Sequence, residues 1–147
     1  MSLSKAIEVA AEAHGDKKDM GGVSYILHPI HVMMAVKQHG EDYMTVAVLH
    51  DIIEDTDWTL DEIVKEIGLT ETQTQALDLL THKESDSYDI YIEKMMISPM
   101  AKIIKIEDLN HNLDVKRIKQ RRTFELSPGA QRRIAKYLKA WTALTGE

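Results

Sequence analysis

The sequence predicts an all-α protein, a single compact domain of about seven or eight helices. Three observations predict it. Apolar residues recur at helical rather than alternating spacing along nearly the whole chain. The breaks between periodic segments carry helix start and stop residues, among them Pro29, Gly40, Thr59, Gly68, Pro99 and Pro128. With 147 residues, 44% hydrophobic and 29% charged, the chain has the length and composition for one sizeable core.

The elements follow in order. Residues 3–13 form an Ala-rich amphipathic helix with Ile7, Ala10 and Ala11 on one side, and the polar, glycine-containing residues 14–24 read as a loop. The second helix begins near His28, because Pro29 suits a first-turn position that needs no backbone donor, and it stops at Gly40. Residues 42–53 form the third. Thr59 and Glu62 read as a capping box opening a helix over 59–67, which Gly68 ends. Residues 70–82 follow, then a polar break at 84–87 and a helix over 88–97. Ser98-Pro99 restarts the chain into a helix over 100–113. After a basic stretch at 116–122, Ser127-Pro128 opens a last helix reaching Leu144. No repeat, low-complexity tract or linker interrupts this order.

Composition excludes several function classes. A net charge of −6 argues against broad nucleic-acid binding, which needs a basic surface. It leaves room for a phosphorylated small molecule, because a cation and a few lysines reverse the field inside a cleft. The absence of cysteine removes disulfides, zinc–cysteine sites and thiol nucleophiles together. No apolar run reaches the ~18–20 residues of a membrane span, and the N-terminus lacks the apolar stretch of a signal peptide. The expected location is the cytoplasm, with no membrane partner, and the oligomeric state is left open.

The segment Val46-Ala-Val-Leu-His50-Asp51-Ile-Ile-Glu54-Asp55-Thr56 carries the chemistry. On a helix at ~100° per residue, His50, Asp51, Glu54 and Asp55 share a ~140° arc while aliphatic side chains cover most of the rest. A helix so apolar is normally buried, and buried carboxylates are costly unless paired, hydrogen-bonded or bound to a metal. Two more segments offer ligands of the same kind: His28 in Tyr25-Ile-Leu-His28-Pro29, and Asp108 in Lys105-Ile-Glu-Asp108-Leu-Asn-His111-Asn112. Two histidines and two carboxylates without sulfur suit a divalent first-row cation, Mn²⁺, Fe²⁺ or Zn²⁺. Each residue also has a plainer reading. His28 alone fits a helix cap or a satisfied core histidine, the His50-Asp51 pair a solvated dyad, and Asp108 a surface carboxylate. The three segments together favour the cation.

These motifs resemble the HD superfamily of metal-dependent phosphohydrolases. More narrowly, Tyr-x-x-His28-Pro followed by His50-Asp51-x-x-Glu54-Asp55-Thr56 and the Asp108 segment is similar to the hydrolase domain of RelA/SpoT-type proteins and free-standing small alarmone hydrolases. The similarity runs in order from Leu3 to Leu113, and the last helix adds little to it. It implies an HD-type bundle over residues 1–147, with no synthetase or regulatory domain. It also implies removal of the 3′-pyrophosphate from guanosine tetra- or pentaphosphate, with Mn²⁺ as cofactor and a guanosine polyphosphate as partner. His28, His50, Asp51 and Asp108 would be the ligands. Glu54 and Asp55 would orient or deprotonate the attacking water, Glu54 ranking first as base. Asn112 resembles the family's nucleotide-contacting asparagine, its alternative being an internal hydrogen bond.

The chain also departs from the family. The arginine usual after the metal-binding aspartate is Leu109 here, and Ser24 stands where a proline is typical. The loop's usual base-stacking cation has no unambiguous counterpart. Lys17 and Lys18 are the nearest cations, and Asp19 occupies one register. Lys83, Lys105 and Arg117 are candidates for the distal phosphates, and Arg121, Arg122, Arg132 and Arg133 are expected to be exposed. His14, His31, His39, His82 and His111 are read as structural or exposed, Trp58 as a cleft wall or a packing residue, and Met33, Met34, Met95, Met96 and Met100 as core filler. These departures sustain two competing functions. One is hydrolysis of another nucleotide, a deoxynucleoside monophosphate or cyclic nucleotide; the other is nucleotide binding without turnover.

Overall fold

Helix α3, Glu41–Leu49, is the hub, as its sequence requires: Val46, Ala47, Val48 and Leu49 are all fully buried. The computed structural model describes residues 2–114 and 127–147, and among them it is all helical, without a strand. In chain order the other helices are α1 (Ser2–His14), α2 (Leu27–Ala35), α4 (Ile52–Asp55), α5 (Leu60–Ile63), α6 (Glu71–Leu80), α7 (Tyr88–Lys94), α8 (Pro99–Asn112) and α9 (Pro128–Thr145). A π turn, Val64–Gly68, continues α5, and a 3₁₀ turn, Met95–Ile97, continues α7. The predicted basic stretch, with Arg117, Arg121 and Arg122, lies outside the described residues.

The packing is built around two buried helices. α3 lies against α1, α2 and α6, while α8 crosses α2, α6 and α9 and also touches α3. The core they share includes Leu49, Ile52, Ile63, Leu77, Met95, Ile104 and Leu109. Helix starts are chemically marked. Thr59–Glu62 and Thr70–Gln73 each form a reciprocal capping box, and the Ser87, Ser98 and Ser127 hydroxyls accept from the third residue onward. Gly40, at φ 99° ahead of α3, holds a left-handed turn that a side chain would strain.

Two expectations change. The helix expected over 42–53 is interrupted, because Asp51 leaves helical geometry at φ −117°, ψ 9°. The His50 amide bonds the Ala47 carbonyl three residues back, and α4 restarts with the Asp55 amide on the Asp51 carbonyl. The ~140° arc drawn for a continuous helix therefore does not describe this segment. Of the five methionines read as core filler, Met33, Met95 and Met100 are buried, whereas Met34 and Met96 are exposed.

Chemical denaturation checks this packing. Leu77→Ala, which empties a fully buried site, lowers stability by about 2–5 kcal/mol. Thr70→Ala, which removes only a cap, costs about 1 kcal/mol. A Leu77→Ala loss no greater than that of Thr70→Ala would contradict the assigned core.

Candidate functional site

The break between α3 and α4 is what aims the site. On a regular helix, neighbouring side chains diverge by ~100°. With Asp51 in the bridge region of backbone space, a region active-site residues often occupy, both His50 and Asp51 face the same point. His28, in the first turn of α2, arrives from one side and Asp108, in the third turn of α8, from another. One ligand-type atom each from His28, His50 and Asp51 lies within 4.8 Å of the other two. Asp108 Oδ1 is 2.8 Å from His28 Nε2 and 3.4 Å from His50 Nε2. All four residues are buried.

Each of the four is held from behind. His50 Nδ1 donates to the Ala47 carbonyl at 2.7 Å, which turns Nε2 inward. His28 Nδ1 meets His111 Nδ1 at 2.7 Å. Lys105 donates to Asp108 Oδ2 at 2.7 Å, and Asn112 donates to Asp108 Oδ1 at 3.1 Å. The Tyr25 hydroxyl donates to Asp51 Oδ2, and the buried His14 ring stands 3.5 Å from Oδ1. Partner groups of this kind orient metal ligands in proteins generally.

Proton affinities follow from this crowding. Burial alone would lower the His50 pKa, but the Asp51 charge and the charge and hydrogen bond of Asp108 outweigh it and push it up to about 9. Burial would raise both aspartates. Asp51 is instead held well below the usual carboxylate range by His50, His14 and Tyr25, and Asp108 by Lys105, His28 and His50. Glu54 is raised by partial burial at the cleft wall, only in part offset by the hydrogen bond its Oε1 accepts from the His82 amide and by Lys105.

The donor chemistry fits a divalent cation. Two imidazoles and two carboxylates converge in a buried pocket, and Asp51 Oδ1 has no hydrogen-bond partner among the described residues. Without a cation, the raised His50 keeps a proton in that space.

The cluster forms the floor of a cleft of about 580 Å³. Glu54 and Asp55 line it, as do Lys17, Lys18, Asn112 and Lys105. Lys105 was expected to meet substrate as a free cation. It is buried, its ammonium paired with Asp108 and set 5.3 Å from the Tyr91 ring centre. Lys83 does not line the cleft. Its ammonium is exposed and paired with Asp78 at 3.0 Å. Asn112 reaches back to Asp108 on its own helix while still facing the cleft. Trp58 packs against the core rather than walling the cleft.

Several cleft residues escaped the sequence reading. Arg133, Lys136 and Tyr137 of α9 line the same cleft as the 17–21 loop, and Arg133 is half-buried where an exposed arginine was expected. Their signal was present in the i, i+3, i+4 spacing of one face, yet nothing local says which face meets the site. His14 was read only as structural or exposed and Tyr25 only as part of the His28 motif, since their link to Asp51 spans 37 and 26 positions (51 − 14 and 51 − 25). The loop between them is tightly folded: Asp19 accepts from the Gly21 and Val23 amides, and the Tyr25 amide bonds the Lys17 carbonyl.

An all-α bundle with a His-Asp cluster drawn from three separated segments defines an HD-type domain. Comparison with known proteins narrows this. No family model matches the chain. It is 30% identical over 139 residues to the guanosine-3′,5′-bis(diphosphate) 3′-pyrophosphohydrolase of Haemophilus influenzae, covering 87% of this chain and 20% of the relative. To the bifunctional (p)ppGpp synthase/hydrolase SpoT of Escherichia coli it is 30% identical over 145 residues, 91% of this chain and 20% of the relative. The Aquifex aeolicus pyrophosphohydrolase is 41% identical over 68 residues, 45% of this chain and 10% of that protein. The fold matches a solved structure of a metazoan SpoT ortholog described as hydrolysing ppGpp, with a TM-score of 0.77 at 21% identity, covering 97% of this chain and 84% of that one. The chain belongs with the HD-type hydrolase domains of RelA/SpoT proteins. It spans 10–20% of the length of these curated relatives.

The raised His50 sets a pH test of the metal-free protein. A group whose pKa rises on folding adds stability in full below its unfolded value, about 6.5, and loses it as pH climbs through the folded value of about 9. The thermal midpoint of wild type therefore falls between those two pH values, and His50→Gln flattens that decline. A flat wild-type profile over the same range would contradict the charge arrangement.

Proposed function

We propose that this protein hydrolyses guanosine 3′,5′-bis(diphosphate) to GDP and pyrophosphate, using a divalent cation, foremost Mn²⁺ and otherwise Fe²⁺ or Zn²⁺. The observation that carries the reading is the juxtaposition in one cleft of the His28, His50, Asp51 and Asp108 cluster, the carboxylates of Glu54 and Asp55, and cationic side chains from the first loop and α9. His28, His50, Asp51 and Asp108 would hold the cation, which when bound supplies Lewis acidity toward a phosphoryl oxygen and lowers the pKa of coordinated water. A soluble nucleotide as substrate suits a cytoplasmic setting, and the absence of a helix long and apolar enough to span a membrane, among the described residues, accords with it.

The chain's own groups then divide the work. Lys17 and Lys18 on the loop and Arg133 and Lys136 on α9, all lining the cleft, offset the charge of a polyanion held there and help to orient it. Lys105 keeps Asp108 ionised and fixed rather than binding phosphate directly. Glu54, its pKa raised above the ordinary carboxylate value by burial and its Oε1 tied to the His82 amide, has Oε2 to take a proton from water. The water oxygen bonds to the phosphorus next to the ribose 3′-oxygen. The P–O3′ bond breaks, and the departing 3′-oxygen takes up a proton. Asp55, 4.0 Å from Lys17, orients the water and steadies the loop that carries that lysine.

A second reading, hydrolysis of a different nucleotide, is favoured by the cleft mouth. Asp19 and Met20 line it where a stacking cation would serve a guanine, and Met20 is 72% exposed. A Mn²⁺-supplemented nucleotide panel with product analysis separates the readings. GDP and pyrophosphate from the tetraphosphate are expected, with His50→Ala losing both cation and turnover. Glu54→Gln keeps the cation and loses about 10²–10⁴ in kcat. Orthophosphate from a monophosphate would favour the second reading. Tight nucleotide binding without product would leave a binding module, and an unchanged kcat in Glu54→Gln would remove that residue as base.

A further inference from the structure

Among the four cluster residues, only His28 has its outer nitrogen met by a second imidazole. His28 and His31 lie one turn apart on α2, and Asp108 and His111 one turn apart on α8. Where the two helices cross, the four side chains interleave. His28 Nε2 faces Asp108 Oδ1 at 2.8 Å while its Nδ1 faces His111 Nδ1 at 2.7 Å. The His111 ring lies nearly parallel to His28, at 8°, and stacks on His31 with ring centres 3.8 Å apart.

Two imidazole nitrogens at this distance share one proton, so one donates and the other accepts. A histidine that coordinates a cation through Nε2 must keep that nitrogen free of a proton, which places the proton on Nδ1. His28 Nδ1–H then donates to His111 Nδ1, and His111 carries its own proton on Nε2. The opposite arrangement would put a hydrogen on His28 Nε2 and close it to a cation. His31, stacked on the face of His111, limits the rotation that would break the alignment.

We infer that His111 is a positioning residue that sets the tautomer and ring orientation of His28 for binding a divalent cation, with His31 as its backing. The inference rests on the cation reading of the cluster but not on the identity of the nucleotide. An imidazole here takes the part that a carboxylate or backbone carbonyl more often plays behind a metal-binding histidine. His50 shows the commoner device, with the Ala47 carbonyl behind it.

Long-range ¹H–¹⁵N NMR of the histidine rings in the Zn²⁺-loaded protein, with Mn²⁺ affinity by calorimetry, tests this in wild type, His111→Phe and His111→Asn. Without a cation, His28 Nε2 faces the Asp108 carboxylate at 2.8 Å and carries a proton toward it, so the tautomer is read with the cation bound. Wild-type His28 is expected with its proton on Nδ1 and an N–H···N coupling to His111 Nδ1. His111→Phe keeps the stacking area but loses the acceptor, so it loses that hydrogen bond and weakens Mn²⁺ binding by about 10–100-fold. His111→Asn offers an oxygen to the same proton and recovers most of the affinity. Should His111→Phe not fold, the wild-type coupling and the Asn variant decide. A loaded wild type without the coupling, or Phe and wild-type proteins of equal affinity, would overturn the inference while leaving the cation reading intact. A wild type that binds neither Zn²⁺ nor Mn²⁺ takes both down.

Discussion

Everything in this structure turns on the confinement of two buried carboxylates, Asp51 and Asp108, against two imidazoles in a space shielded from water. Ionised groups leave water at a large cost unless opposite charge and hydrogen bonds replace the lost solvation. The chain meets that requirement from several helices at once. Lys105 neutralises Asp108 from within α8, while the Tyr25 hydroxyl holds one oxygen of Asp51 and the His14 ring stands 3.5 Å from the other. The metal-free balance is completed by a proton on His50. A divalent cation would replace that proton and draw on the same four side chains.

This requirement explains the scaffold. The second half of α3, Thr45 to Leu49, is buried on every side so that its end delivers His50 into the centre of the bundle, and the departure of Asp51 from helical geometry then turns a second ligand-type side chain to the same point. α2 and α8 cross over that point and each supplies a pair of side chains one turn apart. α9 adds Arg133 and Lys136 to the cleft that the lysines of the first loop also line. The polar site and the apolar core thus occupy the two sides of the same few helices.

Much of this was legible in the chain because it depends on local rules. The apolar girdle of residues 46–53 announced a buried helix, the Thr59–Glu62 capping box was readable, and three segments rich in His and Asp pointed to one cleft. What was not legible depends on distance or on a break in regularity. The interruption at Asp51 left no trace in the apolar pattern, which continues through Ile52 and Ile53. Lys105 looked like a phosphate ligand until packing buried it, although its i, i+3 relation to Asp108 was a usable clue. Arg133, Lys136 and Tyr137 gain their meaning only from how α9 docks on α7 and α8.

The central claim is that the four side chains form a ready-made cation site rather than a self-contained network of ion pairs. Anomalous scattering from Mn²⁺-soaked crystals tests it most directly. The account predicts a single strong peak bounded by His28 Nε2, His50 Nε2, Asp51 and Asp108, with Lys105 and Tyr25 still on the outer carboxylate oxygens. No peak at this position at saturating Mn²⁺, with the histidines still paired to the aspartates, would contradict it.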